Sequence, residues 1–106
     1  MDENISETIE KIGRELDPVS MFLYGSRART DYSEGSDYEI GVLYSRDKKI
    51  SRTQLKSLSS LKNAYFYPFE YESFLNYNID TPFTESIYFR DIIGMGKTLF
   101  GKNIIE

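Results

Sequence analysis

The sequence predicts a small α/β domain in which helices and strands follow one another along the chain. Two observations predict it: several segments carry apolar residues at helical spacing, and several others are short apolar runs bounded by turn residues. The length of 106 residues allows one hydrophobic core and leaves no room for a second folded domain. We therefore expect a single domain over residues 1–106.

The first half of the chain predicts one helix and two strands. Residues 4–16 repeat isoleucine and leucine on one helical face, and the Asp-Pro pair that follows ends the helix, because a residue before proline avoids the α region. Residues 19–24 form an apolar run typical of a buried strand, and residues 37–44 resume strand character. The polar connection over residues 26–36 is predicted to be a helical turn followed by a loop, and its length favours a functional role.

The second half predicts a further alternation. Residues 51–61 carry leucines on one helical face, and residues 64–69 are aromatic and strand-like. The proline inside that strand indicates an edge strand or the end of a strand. Residues 70–76 predict a short helix and residues 84–95 another, and residues 97–100 form either a last short strand or an extended tail.

The composition excludes several classes of site. Cysteine and histidine are both absent, which excludes a disulfide framework, a zinc–thiolate site, a cysteine nucleophile and a histidine general base. A metal site in this chain must use oxygen ligands, which indicates Mg²⁺ or Mn²⁺.

Charge and hydropathy indicate the setting. Thirteen basic residues stand against 17 acidic ones, a net charge of -4, which argues against general nucleic-acid binding because that needs a basic face. The N-terminus is acidic and has no apolar run, and no segment approaches the roughly 18 apolar residues of a membrane span. We expect a cytoplasmic protein that does not enter membranes.

The end of the first predicted strand carries a pattern suited to phosphate. Gly25 lets the backbone approach a ligand closely, and a helix that starts at Ser26 would offer unpaired N–H groups and a hydroxyl to an anion. An ordinary strand-to-helix turn with Ser26 as the N-cap explains the same residues.

The start of the second strand carries a pair of carboxylates. Asp37 and Glu39 are two residues apart, so on a strand their side chains point to the same face. Two hard oxygen ligands at one place suit Mg²⁺ bound to substrate phosphates. Two solvated acids, or Asp37 capping a turn, are the alternatives.

In combination these features resemble a known signature. Residues 25–40 read Gly-Ser-Arg-Ala-Arg-Thr-Asp-Tyr-Ser-Glu-Gly-Ser-Asp-Tyr-Glu-Ile. The DNA polymerase β-like nucleotidyltransferase superfamily has an apolar strand, Gly-Ser, a connection that often starts Arg-Ala-Arg, then Ser-Asp-x-Asp and another apolar strand. The chain looks most like the minimal nucleotidyltransferases of this superfamily. The resemblance covers nearly the whole chain, but the specific motif occupies residues 22–43.

The resemblance implies a small mixed sheet flanked by helices, with a nucleotide cleft at one edge. It implies that Gly25 and Ser26 hold a nucleoside triphosphate and that Asp37 and Glu39 bind one or two Mg²⁺ ions. The reaction would move a nucleoside monophosphate, with ATP as the expected substrate, to a hydroxyl.

Arg27 and Arg29 follow Ser26 directly and belong to the same motif. The resemblance assigns them to the triphosphate or to a charged partner. Surface residues that balance the acids of the same loop are the alternative.

The sequence departs from the superfamily pattern at two points. Glu39 stands where aspartate is usual, and its longer side chain shifts a bound ion. The third carboxylate usual on a later strand is replaced by an aromatic residue, Tyr67 in our alignment. Glu70 is the nearest acid and Glu72 the next, and a solvated strand end explains Glu70 equally well. The surrounding aromatic residues stack a base, belong to the core or form a surface for a partner.

Two functions remain open at the level of sequence. By resemblance, the first is an enzyme that acts as the antitoxin beside a helical HEPN-type partner protein and transfers AMP to it. The second is a degenerate module that neutralises a partner by contact alone. A third interpretation, an acidic α/β domain with no nucleotide role, requires the motif to be chance. Self-association stays open.

Overall fold

The computed structural model describes residues 3–24, 37–59, 61–75 and 97–101. Its elements in chain order are α1 (Glu3–Leu16), β1 (Ser20–Tyr24), β2 (Tyr38–Tyr44), α2 (Arg52–Leu58), β3 (Ala64–Glu70), α3 (Tyr71–Leu75) and β4 (Lys97–Gly101). The predicted α/β class and the order of these elements are confirmed, and residues 97–100 belong to a strand. The helix predicted over residues 84–95 and the helical turn within residues 26–36 lie outside the described residues.

The four strands form one mixed sheet in the order β3-β2-β1-β4. β1 is antiparallel to both of its neighbours, β2 and β4, whereas β2 and β3 are parallel. β3 lies at one edge of the sheet, as the proline in its sequence predicted, because Pro68 has no N–H to donate to a second neighbour.

Each face of the sheet has its own core. On the first face, helices α1 and α2 cover aliphatic side chains, and its buried residues include Ile5, Ile9, Ile12, Met21, Leu23, Ile40, Val42 and Leu55. On the second face, α3 covers a cluster that is mainly aromatic, namely Phe22, Tyr24, Leu43, Phe69 and Phe74. Strand alternation separates the two sets, since successive residues of β1 and β2 point to opposite faces.

Two glycines let large rings approach the backbone. A Cβ at Gly41 in β2 would meet the ring of Phe22, and a Cβ at Gly13 in α1 would meet the ring of Phe100. Gly41 therefore admits an aromatic ring to the second face, and Gly13 brings α1 close to β4. No described helix has both the length and the apolar character needed to cross a bilayer.

The helix ends differ in detail from those predicted. α1 ends at Leu16 as expected, but Asp17 adopts a left-handed conformation (φ 46°) and its N–H bonds to the carbonyl of Gly13 at 3.1 Å. This is a C-terminal cap rather than the extended conformation that proline alone predicts.

α2 begins with a capping box in which the side chains of Ser51 and Gln54 each accept the other's backbone N–H. It ends at Leu58, not at residue 61, because Ser59 is already extended. The predicted length of this helix was wrong.

Candidate active site

The C-terminal end of β1 lies beside the N-terminal end of β2. Tyr24, the last residue of β1, is the antiparallel partner of Glu39, the second residue of β2. The end of β1 at Tyr24 therefore lies next to the start of β2 in the sheet, and Asp37 directly precedes that start. Gly25, which follows Tyr24, lies outside the described residues.

Two acids lie at the start of β2. Tyr38, the first residue of the strand, is buried in the aliphatic core on the first face. Because side chains alternate along a strand, Glu39 points to the second face. Asp37 directly precedes the strand and is exposed, and Glu39 is half-buried. Two carboxylates thus lie two residues apart in the chain at this end of the sheet.

A buried phenol adjoins this pair. Tyr24 points to the second face and is only 2% exposed. Burial raises the pKa of the Tyr24 phenol well above its ordinary value, and the negative charge of Glu39 adds to the rise. The phenol stays neutral at physiological pH, so it keeps its proton beside Glu39.

Tyrosines occupy the neighbouring positions of β3. Tyr65 is the parallel partner of Glu39, and Tyr67 is the partner of Gly41. Their rings stack with centroids 6.5 Å apart. The register therefore places two phenols, and no carboxylate, at the positions of β3 that lie beside Glu39 and Gly41.

Glu70 lies at the opposite end of the same strand. It is the partner of Tyr44, five residues beyond Tyr65, which corresponds to about 16 Å along a parallel strand. Strand alternation also points Glu70 and Tyr65 to opposite faces. The structure does not bring Glu70 to the acids of β2, so it does not support Glu70 as the third catalytic carboxylate.

The contacts of Glu70 explain its position. Arg46 donates to its Oε1 from Nη2 at 2.8 Å and from Nε at 3.1 Å, and Ser73 donates from Oγ at 3.3 Å. The hydrogen bond from Arg46 is the main reason that the pKa of the Glu70 carboxyl is below its ordinary value. Glu72, the next candidate, lies in the first turn of α3.

The predicted nucleotide-binding residues, Gly25, Ser26, Arg27 and Arg29, lie outside the described residues. Within the described ranges, no three acidic side chains cluster in a way that could hold a metal ion. The donor set that is described, two carboxylates at the start of β2, fits the hard oxygen ligands that Mg²⁺ prefers.

Comparison with known proteins decides the family. A family model described as "Polymerase beta, Nucleotidyltransferase" matches residues 4–104. The chain belongs to this nucleotidyltransferase family. None of the curated proteins matches it significantly.

Three solved structures share the fold of this nucleotidyltransferase domain. A protein from Sulfolobus solfataricus, assigned as a nucleotidyltransferase, has a TM-score of 0.58 and 17% identity over 74% of this chain and 72% of its own. A toxin–antitoxin crystallised with AMP-PNP has a TM-score of 0.56 and 19% identity, over 92% of this chain and 74% of its own. The toxin–antitoxin MntA–HpeT with two Asp-to-Glu substitutions has a TM-score of 0.54 and 20% identity, over the same shares of the two chains.

One feature of this nucleotidyltransferase was missed in the sequence. Arg52, the first residue of α2, places its guanidinium carbon 5.4 Å from the centre of the Tyr67 ring. The arginine thus reaches from the first face, which α2 covers, around the edge strand β3 to Tyr67 on the second face. The capping box at Ser51 could have located Arg52 at the helix start, but nothing in the sequence places it over Tyr67.

Proposed function

We propose that this chain is a Mg²⁺-dependent nucleotidyltransferase that moves AMP from ATP to a hydroxyl of a partner protein. The observation that supports it most directly is the pairing of Tyr24 with Glu39. Tyr24 directly precedes the Gly25-Ser26 motif in the sequence and Glu39 is one of the two acids, so this pairing supports the proposal that motif and acids act together. A phosphate-binding turn and a metal-binding pair would then face one cleft.

Each motif residue has a proposed role. Gly25 and Ser26 hold the triphosphate through backbone N–H groups and the Ser26 hydroxyl, and Arg27 and Arg29 neutralise its charge.

Asp37 and Glu39 hold Mg²⁺, which when bound supplies charge neutralisation at the phosphates. The Tyr24 phenol, the strand partner of Glu39, is buried and stays neutral beside this acid.

The chemistry of the transfer is a displacement at phosphorus. The acceptor oxygen forms a bond to the α-phosphorus, the bond to the β-phosphate oxygen breaks, and pyrophosphate leaves with that electron pair. The hydroxyl proton goes to solvent, because Tyr65 rather than a carboxylate lies beside Glu39 on β3. The expected rate is therefore lower than with a base in that position.

The proposed setting is a toxin–antitoxin pair in the cytoplasm. Two of the solved structures that share this fold are toxin–antitoxins, and one of them was crystallised with AMP-PNP. By that likeness and by the motif, this chain acts as the antitoxin, and a HEPN-type protein is its acceptor.

A labelled-ATP experiment tests this proposal. The full chain is incubated with Mg²⁺ and α-labelled ATP, with and without the product of the neighbouring gene, and label on protein is measured. Transfer that disappears in Asp37→Ala and persists in Asp47→Ala is expected. Asp47 is an exposed turn residue, so its variant controls for loss of one negative charge. Equal loss in both variants would contradict the assignment of Asp37.

A second function has one observation in its favour. By the resemblance, Tyr67 stands on β3 where the superfamily usually has an acid, and Tyr65 two residues before it is 47% exposed. A module that neutralises its partner by contact alone would need no acid there. Partner binding without any measurable nucleotide binding would favour this alternative over the enzyme.

A further inference from the structure

A narrow groove runs along the edge of the sheet, between α2 and β3. Its volume is about 180 Å³. Its lining residues are Arg52, Leu55, Lys56, Ser59, Leu61 and residues 64–67. Sites for whole small molecules measure roughly 300–1,000 Å³, so this groove suits one or two side chains of a longer ligand.

The groove is cationic, in contrast with the chain as a whole. Arg52 and Lys56 are four residues apart on α2, so both project from the same side of the helix, and both are exposed. No carboxylate is among the described residues that line it. A chain with a net charge of -4 therefore presents a local positive surface here.

The wall opposite the cations is an edge strand. In the part of the chain that the structure describes, β3 pairs with β2 alone, so its other side offers backbone N–H and C=O groups to an added strand. Pro68 cannot donate such a bond, which limits the available edge to the first half of β3. That half is the part that lines the groove, residues 64–67.

The groove adjoins the candidate active site. Tyr65 lines it and is also the strand partner of Glu39. Tyr67, which carries the Arg52 guanidinium on its ring, follows two residues later on the same face. A segment lying along the edge of β3 would therefore pass one strand away from the acid pair.

We propose that this groove docks an extended acidic segment of the partner protein, which adds to the edge of β3 with its carboxylates on Arg52 and Lys56. The statement that this segment brings the acceptor hydroxyl rests on the proposed transferase function; the docking itself does not. The occupant is a peptide rather than a nucleic acid, because a chain with a net charge of -4 repels the phosphate backbone as a whole.

Binding of a designed peptide tests the docking. The probe is a fluorescent peptide of alternating glutamate and threonine with one tyrosine, and its match has lysine at every glutamate. Anisotropy with the full chain should show binding of the acidic peptide only, weakened by added salt. The charge reversal Arg52→Glu with Lys56→Glu should weaken binding about tenfold or more.

A matched double variant controls for net charge. Lys11→Glu with Arg14→Glu makes the same charge change on exposed positions of α1, and it should alter the affinity less than about threefold. Circular dichroism checks that both variants are folded. Amide exchange should slow in the first half of β3 when the acidic peptide binds.

Several results would overturn the docking proposal. The first is an equal loss of peptide affinity in the two double variants, and the second is equal binding of the lysine peptide and the acidic peptide. The others are stronger binding of a single-stranded oligonucleotide than of the acidic peptide, and amide exchange in β3 that the acidic peptide leaves unchanged.

Failure of the docking proposal is distinguishable from failure of the transferase proposal. Asp37→Ala should abolish label transfer and leave peptide binding unchanged. Peptide binding that follows the groove variants without any transfer would contradict the transferase function alone. Transfer to the partner that is unaffected by Arg52→Glu with Lys56→Glu would contradict the docking alone.

Discussion

The two ends of the parallel pair β2–β3 carry carboxylates in different electrostatic settings. At one end, Glu70 is half-buried and accepts two hydrogen bonds from Arg46. At the other end, Glu39 lies between the buried phenol of Tyr24 and the exposed ring of Tyr65. Glu70 thus accepts hydrogen bonds from a cation, and the strand partners of Glu39 in the sheet are Tyr24 and Tyr65.

This difference separates a structural acid from a candidate metal ligand. The charge of Glu70 is balanced within the fold, so it has little left to offer a ligand. Glu39 and the exposed Asp37 both lie at the start of β2, and a divalent cation would balance both charges. Nearness in sequence pointed to Glu70 as a catalytic acid, and its contacts assign it to stability.

Matched amide substitutions at the two ends should give the largest contrast. Glu39→Gln should lower label transfer about a hundredfold or more, because it removes a metal ligand from the reacting centre. Glu70→Gln removes the same charge at the other end and should change transfer less than about twofold. Initial rates of AMP transfer measure both, and similar losses would erase the distinction.

Substitution of Gly41, which lies within β2 between the two ends of the strand, should give the next largest effect, here on stability. Gly41→Ala drives a methyl into the Phe22 ring and should lower the free energy of unfolding by about 1–3 kcal/mol. Thr53→Ala, at an exposed position of α2, should change it by less than about 0.5 kcal/mol. Urea denaturation measures both, and an unaffected Gly41→Ala would mean that the ring moves aside freely.

The Tyr24 phenol should appear in the alkaline limit of stability. Its folded pKa is raised by burial, above an unfolded value of about 10. Stability is therefore intact below that pH and falls as pH rises, because only the unfolded chain ionises this group. Tyr24→Phe should flatten the decline between about pH 9 and pH 11. Tyr65→Phe, which changes an exposed ring, should leave this decline unchanged. The free energy of unfolding at several pH values measures both variants.

The Arg46–Glu70 pair should give the smallest effect, in the acid range. The pKa of the Glu70 carboxyl is lowered in the folded chain. The stability that the pair contributes is therefore present above the unfolded pKa of about 4.3 and is lost as pH falls through the folded pKa. The melting temperatures of the wild type and Glu70→Gln should therefore differ at neutral pH and converge below about pH 4. A difference that persists in acid would assign the effect to packing instead.

Much of the fold follows from local patterns in the sequence. The apolar run at residues 19–24 and the strand character of residues 37–44 were enough to predict β1 and β2. Pro68 was enough to limit β3 to an edge or a strand end, and β3 lies at an edge. These inferences depend on single strands and on residues near each other in the chain, where steric rules leave few choices.

The remainder depends on register and on contacts between distant residues. Only the pairing of β2 with β3 shows that Glu70 lies far from Glu39, and a shift of one residue would exchange the faces of every side chain on β3. The contact between Arg52 and Tyr67 likewise joins two elements whose approach no local pattern specifies.

The central place of β1 in the sheet has a consequence for how the chain is assembled during synthesis. One neighbour of β1, the strand β2, emerges from the ribosome soon after it, but the other, β4, is the last described strand. Until Gly101 has been translated, β1 has an open hydrogen-bonding side, and the place beside Gly13 that receives the Phe100 ring stays empty. A nascent chain stalled before Lys97 should thus be held by chaperones or aggregate.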